Sequence, residues 1–342
     1  MTEGSAEPAW AHLSDKDLLA LRLCDLGLTI AGSALEPPVR QLGTELKARG
    51  LRFRPYFWLS DDWYTPDGVP GIALPFYMAH PRLVRLEEGQ MLEVEGGTPE
   101  WCMRILRHEA GHAIENAYRL RRLRRRIALF GRSSQKYPAF YEPRPYSKSF
   151  VQHLEAWYAQ SHPDEDFAET FAVWLTPDAG WEQRYAGWPA LKKLQYVDTL
   201  MHDIAGRPPL VRSRRKVDPL EKLTKTLHEH YEQRRRHYGI EVQRFYEHDL
   251  RRIFSADPAF RQHPAATTFL RRVRREVRRL VATWTGAYQY TVDQVLQDIV
   301  HHCREHELRL AVPEAQAKVD FAVMLTVQTM NVLHSGRHRV AL

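Results

Sequence analysis

Residues His108-Glu109-Ala-Gly-His112 place two imidazoles four positions apart with a carboxylate beside the first. On a helix, positions i and i+4 lie one turn apart on one face, so both ring nitrogens can converge on a single metal ion. Zinc takes imidazole nitrogens at about 2.0–2.1 Å, and a catalytic site pairs three protein ligands with one open position. Glu109, rotated away from that face by one residue, can take a proton from a water that the metal activates and hand it to a leaving amine.

The helix that must carry these residues is legible. Trp101, Ile105, Leu106, Ala110, Ala113, Ile114, Ala117 and Leu120 recur at three- and four-residue steps, and Thr98-Pro99-Glu100 supplies a start signal. The pattern predicts a buried helix from Thr98 to about Arg125. Two histidines and a glutamate inside a buried helix need a partner, and a metal suits all three.

A third ligand is best sought on the helix opening at Ser161-His-Pro-Asp-Glu-Asp and closing at Leu175. Phe167, Phe171 and Trp174 form its core stripe, while Glu169 points to another face beside Ala172 and Val173. Glu169 is therefore the expected third ligand. Glu165 or Asp166 could ligate instead, or could orient His108 or His112 from behind. Asp164, Glu165 and Asp166 are equally explained as acids loading a helix N-terminus.

The pair of motifs, His108-Glu-Ala-Gly-His112 and Asp166-Phe-Ala-Glu169-Thr-Phe-Ala, resembles the gluzincin branch of zincin-like metallopeptidases. The likeness is greatest to bacterial zinc-binding metallopeptidases, and looser to the Mlc titration factor peptidases and the anthrax lethal factor catalytic domain; it spans roughly residues 50–200. It implies an α+β zincin-like domain: a small twisted sheet whose edge strand aligns substrate, an HExxH helix and a glutamate helix. By that resemblance His108, His112 and Glu169 hold zinc and Glu109 is the base. The looser relatives carry an oxyanion-donating Tyr seven residues before the ligand Glu, where this chain has His162. His162 could donate the same hydrogen bond, or Tyr141, Tyr146, Tyr158 or Tyr196 could take the role.

Length and composition fit this reading. With 342 residues, 44% hydrophobic and 11% aromatic, the chain can bury a large core. Its three cysteines, far apart and odd in number, suit a reducing, cytoplasmic setting, and the first eight residues lack signal-peptide character. No apolar run reaches membrane-spanning length. Residues 211–342 carry 24 basic against 15 acidic side chains, whereas residues 1–210 carry 25 against 27. Together with Pro208-Pro209 and the basic run Arg212–Lys216, this asymmetry predicts a metallopeptidase domain over 1–210 and a basic helical extension over 211–342.

Around the motifs, leucines between Asp15 and Ala31 predict an amphipathic helix, and Pro38–Arg49 a second. Gly71–Met78 reads as an edge strand that could hold a substrate backbone by β-addition, and Arg82–Glu95 as one or two further strands. The arginines between Arg271 and Arg279 read as the charged face of an amphipathic helix. They lack the interleaved aromatics of a nucleic-acid surface, so no nucleic-acid partner is expected. His301-His302-Cys303-Arg-Glu-His306 reads as a solvated helix face.

The expected activity is zinc-dependent hydrolysis of a peptide or isopeptide bond, with acidic substrates favoured if the basic region attracts them. A non-catalytic regulator keeping a structural metal, its basic region on an acidic partner or nucleic acid, is the rival. Glu109 counts against it, because a structural metal needs no base. Oligomeric state is left open.

Overall fold

The computed structural model describes residues 7–138, 141, 144, 147–238 and 247–334. The chain is helix-rich and divides into a unit up to Tyr231 and a unit from Glu232 onward, the latter taking in Met91–Glu93. The first unit's elements begin with α1 (Asp15–Leu19), α2 (Glu36–Ala48), β1 (Tyr56–Ser60), β2 (Gly71–Pro75), α3 (Pro81–Met91), α4 (Pro99–Tyr118) and α5 (Arg124–Phe130). They continue with α6 (Pro163–Leu175), α7 (Trp181–Arg184), α8 (Ala190–Ile204) and the start of α9 (Leu227–Tyr238), whose chain runs across the division.

Several sequence expectations are corrected. The leucine-rich stretch is not one helix. Its Ser14 cap starts α1, but Leu23 and Cys24 N–H then donate to the carbonyls of Lys225 and Leu223, and Leu227 N–H donates to Leu21. Those backbone bonds draw residues 21–24 out of helical pairing. Residues 82–91 form α3, not strands, with Leu83, Leu86 and Met91 buried.

β1 and β2 pair in parallel, Tyr56 opposite Gly71 and Ser60 opposite Pro75. Glycine is required at 71, because a Cβ would lie 2.6–2.8 Å from the Tyr56 ring. The strand stops at Pro75 and a 3₁₀ turn, Phe76–Ala79, replaces its expected end. β2 is buried throughout, and Ala73 N–H already donates to Tyr64 on the side away from β1. Its middle is thus closed to an added substrate strand.

α4 begins as the sequence requires. Thr98 Oγ1 accepts from Trp101 N–H at 3.2 Å and Pro99 occupies the first turn. It ends at Tyr118 rather than near Arg125, because Arg119 adopts the left-handed conformation at φ 55°. A 3₁₀ turn, Leu120–Arg122, and α5 follow, and this reversal brings Arg126 back to Glu115 of α4.

α6 is buried from Asp164 to Leu175. Phe167 meets Phe130, and Trp174 Nε1 donates to Asp198 on α8 at 2.8 Å. At the crossing of α4 and α6, a Cβ on Gly111 would lie 2.7 Å from Ala168 Cα. Glycine inside a helix is unfavourable by about 0.5–1 kcal/mol relative to alanine, and here it permits direct backbone approach.

The division falls at 231/232 instead of 210/211 because residues 210–231 pack into the first unit. Leu210 and Val211 N–H donate to Ala117, Trp58 Nε1 and Tyr64 Oη donate to Val217, and Leu227 and Tyr231 are buried.

The second unit contains α10 (Glu247–Leu250), β3 (Phe254–Ser255), α11 (Ala266–Thr285), α12 (Gln289–Glu305), β4 (Arg309–Leu310) and α13 (Glu314–His334), with β3 and β4 antiparallel. Phe269, Val273, Val277 and Val281 of α11 face Val292, Val295 and Ile299 of α12 and Phe321 of α13 in one apolar core. Arg271, Arg272, Arg275 and Arg279 lie outward, as their spacing predicts, while Arg274 and Arg278 are half-buried. No helix among the described residues is long and apolar enough to cross a membrane.

Asp293, 1% exposed, joins α12 to α11 by accepting from Arg274, from Arg278 at 3.2 Å and from Gln297 at 2.7 Å. Burial opposes its charge, but these donors hold its carboxyl below the ordinary 3.8. A carboxyl depressed on folding lends stability that is complete above its unfolded value and is lost as pH falls through its folded one. Asp293→Asn should cost about 1–3 kcal/mol near neutrality. It should also flatten the loss of stability below pH 3.8, measured by urea unfolding across an acid pH series; an unchanged pH dependence would contradict this.

Candidate metal centre

α4 sets the His108 and His112 rings 4.9 Å apart with their Nε2 atoms at 3.1 Å. Glu165 Oε2, in the first turn of α6, lies 3.1 Å from each of the two Nε2 atoms. Three ligand atoms therefore face one point from two helices, and all three side chains are buried.

The carboxylate in this cluster is Glu165, where Glu169 was expected. Glu169 sits one turn further along α6, and its Oε1 accepts from His108 Nδ1 at 2.8 Å while Oε2 accepts from Leu154 N–H at 2.8 Å. Both oxygens are engaged behind the imidazole. With Nδ1 carrying the proton, His108 Nε2 presents its lone pair to the cluster. Burial raises the Glu169 carboxyl, but His108, His153 and the Leu154 N–H outweigh it and hold the group below its ordinary range. Burial likewise disfavours charge on Glu165, yet His112 and His108 hold it well below the carboxylate norm. Burial would lower His108, and Glu165 and Glu169 together raise it well above the usual imidazole value, so a metal ion at Nε2 would have to displace a proton held there.

The other first-turn acids have specific partners too. Arg126, fully buried, donates Nη2 to Asp164 at 2.6 Å, Nε to Glu115 at 2.9 Å and Nη1 to the Gly131 carbonyl at 2.8 Å. One guanidinium thus ties α4, through Glu115, to the residue preceding Glu165. Asp166 pairs with Lys193 at 2.6 Å. Loading of the helix dipole alone does not describe these three acids. Tyr137 Oη donates to Glu165 Oε1 at 2.8 Å, which leaves Oε2 to the histidines.

His162 caps α6. Its Nδ1 accepts from Asp164 N–H at 3.2 Å, its Nε2 donates to the Gln135 carbonyl at 3.0 Å, and its ring stacks on Tyr137 at 3.8 Å. With both nitrogens engaged, it is not placed to donate to an oxyanion. Of the tyrosines, Tyr196 packs against Phe130 and Arg125, and Tyr146 lies outside the described residues. Tyr141 lies within the fields of Glu169 and Glu165. Tyr158 lies beside the His108 ring at 5.5 Å. Burial, then the charges of Glu165 and Glu109, push its phenol well up, so it stays protonated and able to donate.

The residues fit a metal ion. Atoms about 2.0–2.1 Å from a common tetrahedral centre stand roughly 3.3 Å from one another, close to the separations seen here. Two imidazoles and a carboxylate suit zinc. Glu109, on the same helix turn, has a buried Oε2 with no hydrogen-bond partner among the described residues. An unpartnered buried carboxylate oxygen calls for a water or proton donor that the protein does not supply.

Arg126, Glu115 and Tyr137 were not singled out from sequence. Arg126 sits in a run of arginines that looks like an ordinary cationic helix end, and nothing local marks the buried member.

A family described as "Putative zinc-binding metallo-peptidase" matches residues 103–186. The matched segment holds His108, Glu109, His112, Tyr158, Glu165 and Glu169. No curated protein and no solved structure matches the chain.

The geometry separates two carboxylates that sequence alone did not. At this cluster Glu165→Ala should abolish metal binding, whereas Glu169→Gln should retain it with affinity about 10–100-fold weaker. Zinc titration against a chelating indicator measures both, and the reverse ranking would restore Glu169 as the ligand.

Proposed function

We propose that this protein is a metallopeptidase of the gluzincin type, with His108, His112 and Glu165 as zinc ligands. The observation that carries the reading is the meeting of two imidazole nitrogens and one carboxylate oxygen at mutual distances of 3.1 Å, beside the unpartnered Oε2 of Glu109. Zinc bound there would polarise a carbonyl and acidify a water molecule.

Glu109 is the general base: it accepts a proton from the attacking water and returns it to the departing amine, so the chain's charge is restored each cycle. Its position one residue after His108 keeps it off the ligand face yet next to the reacting atoms. Glu169 holds His108 by Nδ1 and keeps Nε2 unprotonated. Tyr137 fixes the second oxygen of Glu165, and Arg126 fixes the turn that presents it.

Tyr158 is the donor to the oxygen that gains charge as the carbonyl is attacked. In the looser relatives that role belongs to a tyrosine seven residues before the ligand glutamate. Counted from Glu165, that position is Tyr158; counted from Glu169, it is His162. A ligand at Glu165 accords with that spacing, which supports the reading. The substrate class is a peptide or protein, and a cytoplasmic setting accords with three unpaired cysteines.

Glu109→Gln should keep full metal content and lose about 10²–10⁴-fold in rate on a cleavable peptide identified from a library. Full activity in that variant would overturn the mechanism. Tyr158→Phe should lower kcat by about 10²–10³-fold with metal content and KM nearly unchanged. A rise in KM at constant kcat would instead assign Tyr158 to substrate binding.

A further inference from the structure

The last turn of α12 carries His302 and Glu305, and His306 caps it. Sequence reading treats this stretch as a solvated face, but His302 is buried. One ligand atom from each of the three side chains lies within 4.8 Å of the others. The two rings are one turn apart with centroids 4.4 Å from each other. The order His302-Cys-Arg-Glu-His306 is that of His108-Glu-Ala-Gly-His112 reversed.

We propose that His302, Glu305 and His306 form a second divalent-cation site, selective for an imidazole-preferring ion such as Zn²⁺, Ni²⁺ or Cu²⁺ over Mg²⁺ or Ca²⁺. The residue types and the i, i+3, i+4 spacing put two nitrogens and one carboxylate on one helix face. α12 ends at Glu305, and the partial negative charge of its terminal carbonyls favours a cation at this end. His302 supplies an anchored ring, while Glu305 and His306 are exposed and leave the remaining coordination positions to solvent.

Two neighbours bear on the site. His301 Nε2 stands 3.1 Å from Glu305 Oε1, with side chains 54% and 44% exposed. An exposed pair of this kind contributes little, so a divalent ion can take the carboxylate from it. Cys303 is part of the apolar core, and burial pushes its thiol up to about 12. It remains protonated and adds no thiolate. The site lies in the second unit, shares no residue with the His108 cluster and does not depend on the metallopeptidase reading.

Equilibrium dialysis of the full chain against Zn²⁺, followed by metal analysis, tests the proposal. Wild type should hold two equivalents, His306→Ala one, His112→Ala one, and the double variant none. His306 is exposed, so its replacement leaves the core intact, which far-ultraviolet circular dichroism verifies. In the His112→Ala background, added Zn²⁺ should raise the unfolding temperature, and the rise should vanish when His306→Ala is added. Equal zinc in wild type and His306→Ala would overturn the second site, as would replacement of Zn²⁺ there by equimolar Mg²⁺. One equivalent in wild type that is lost in His306→Ala but kept in His112→Ala would support the second site and refute the first.

Discussion

α4 and α6 touch backbone to backbone where Gly111 meets Ala168, and a buried guanidinium bonds Glu115 of α4 to Asp164 of α6. The candidate site depends on that contact. Two histidines on one helix can offer two nitrogens, but a third ligand must come from elsewhere, to within a few tenths of an ångström. A side chain at 111 would push the helices apart, and loss of Arg126 would leave the buried Glu115 and Asp164 with only the more distant guanidinium of Arg121. Removing one partner from a buried pair of this kind typically costs about 3–5 kcal/mol. The contact also organises the electrostatics. Glu165 and Glu169 are both depressed by the histidines they face, so the cluster is a mutually dependent set of charges and not three groups buried separately.

Much of this arrangement is local and could be read from the chain. The apolar period of residues 101–120, the Thr98-Pro99 start and the spacing of His108 and His112 are properties of one helix, and α4 follows them closely. The outward arginines of α11 obey the same rule. What could not be read is long-range. Glu165 and Glu169 are one turn apart on α6, and which of them meets the two Nε2 atoms and which the Nδ1 of His108 is decided by where α6 crosses α4. The leucines near the N-terminus promised a helix, but backbone pairing with residues 223–227 overrode that propensity. Residues 82–91 were misread because their apolar positions are too few to distinguish periods of two and of three to four. His162 follows Ser161 and precedes Pro163 at a helix start, and that position is the signal its capping role obeys.

The two units use ionisable residues in different ways. In the first, acids and histidines converge inward on one point, with every carboxylate of the α6 first turn matched to a particular partner. In the second, Arg271, Arg275 and Arg279 of α11 are exposed, while Asp293 gathers Arg274 and Arg278 into the contact with α12 and Arg272 pairs with Glu314 of α13. The basic excess of the C-terminal third is thus largely the polar face of an amphipathic helix. Among its described residues, metal-ligating side chains group at the C-terminal end of α12.

The account rests on His108, His112 and Glu165 sharing one ion. The most direct measurement is anomalous diffraction at the zinc edge from crystals of the zinc-loaded protein. The account predicts an anomalous peak within bonding distance of His108 Nε2, His112 Nε2 and a Glu165 oxygen, with Glu169 on His108 Nδ1 and outside the coordination sphere. A peak coordinated by Glu169, or no peak between α4 and α6, would contradict it.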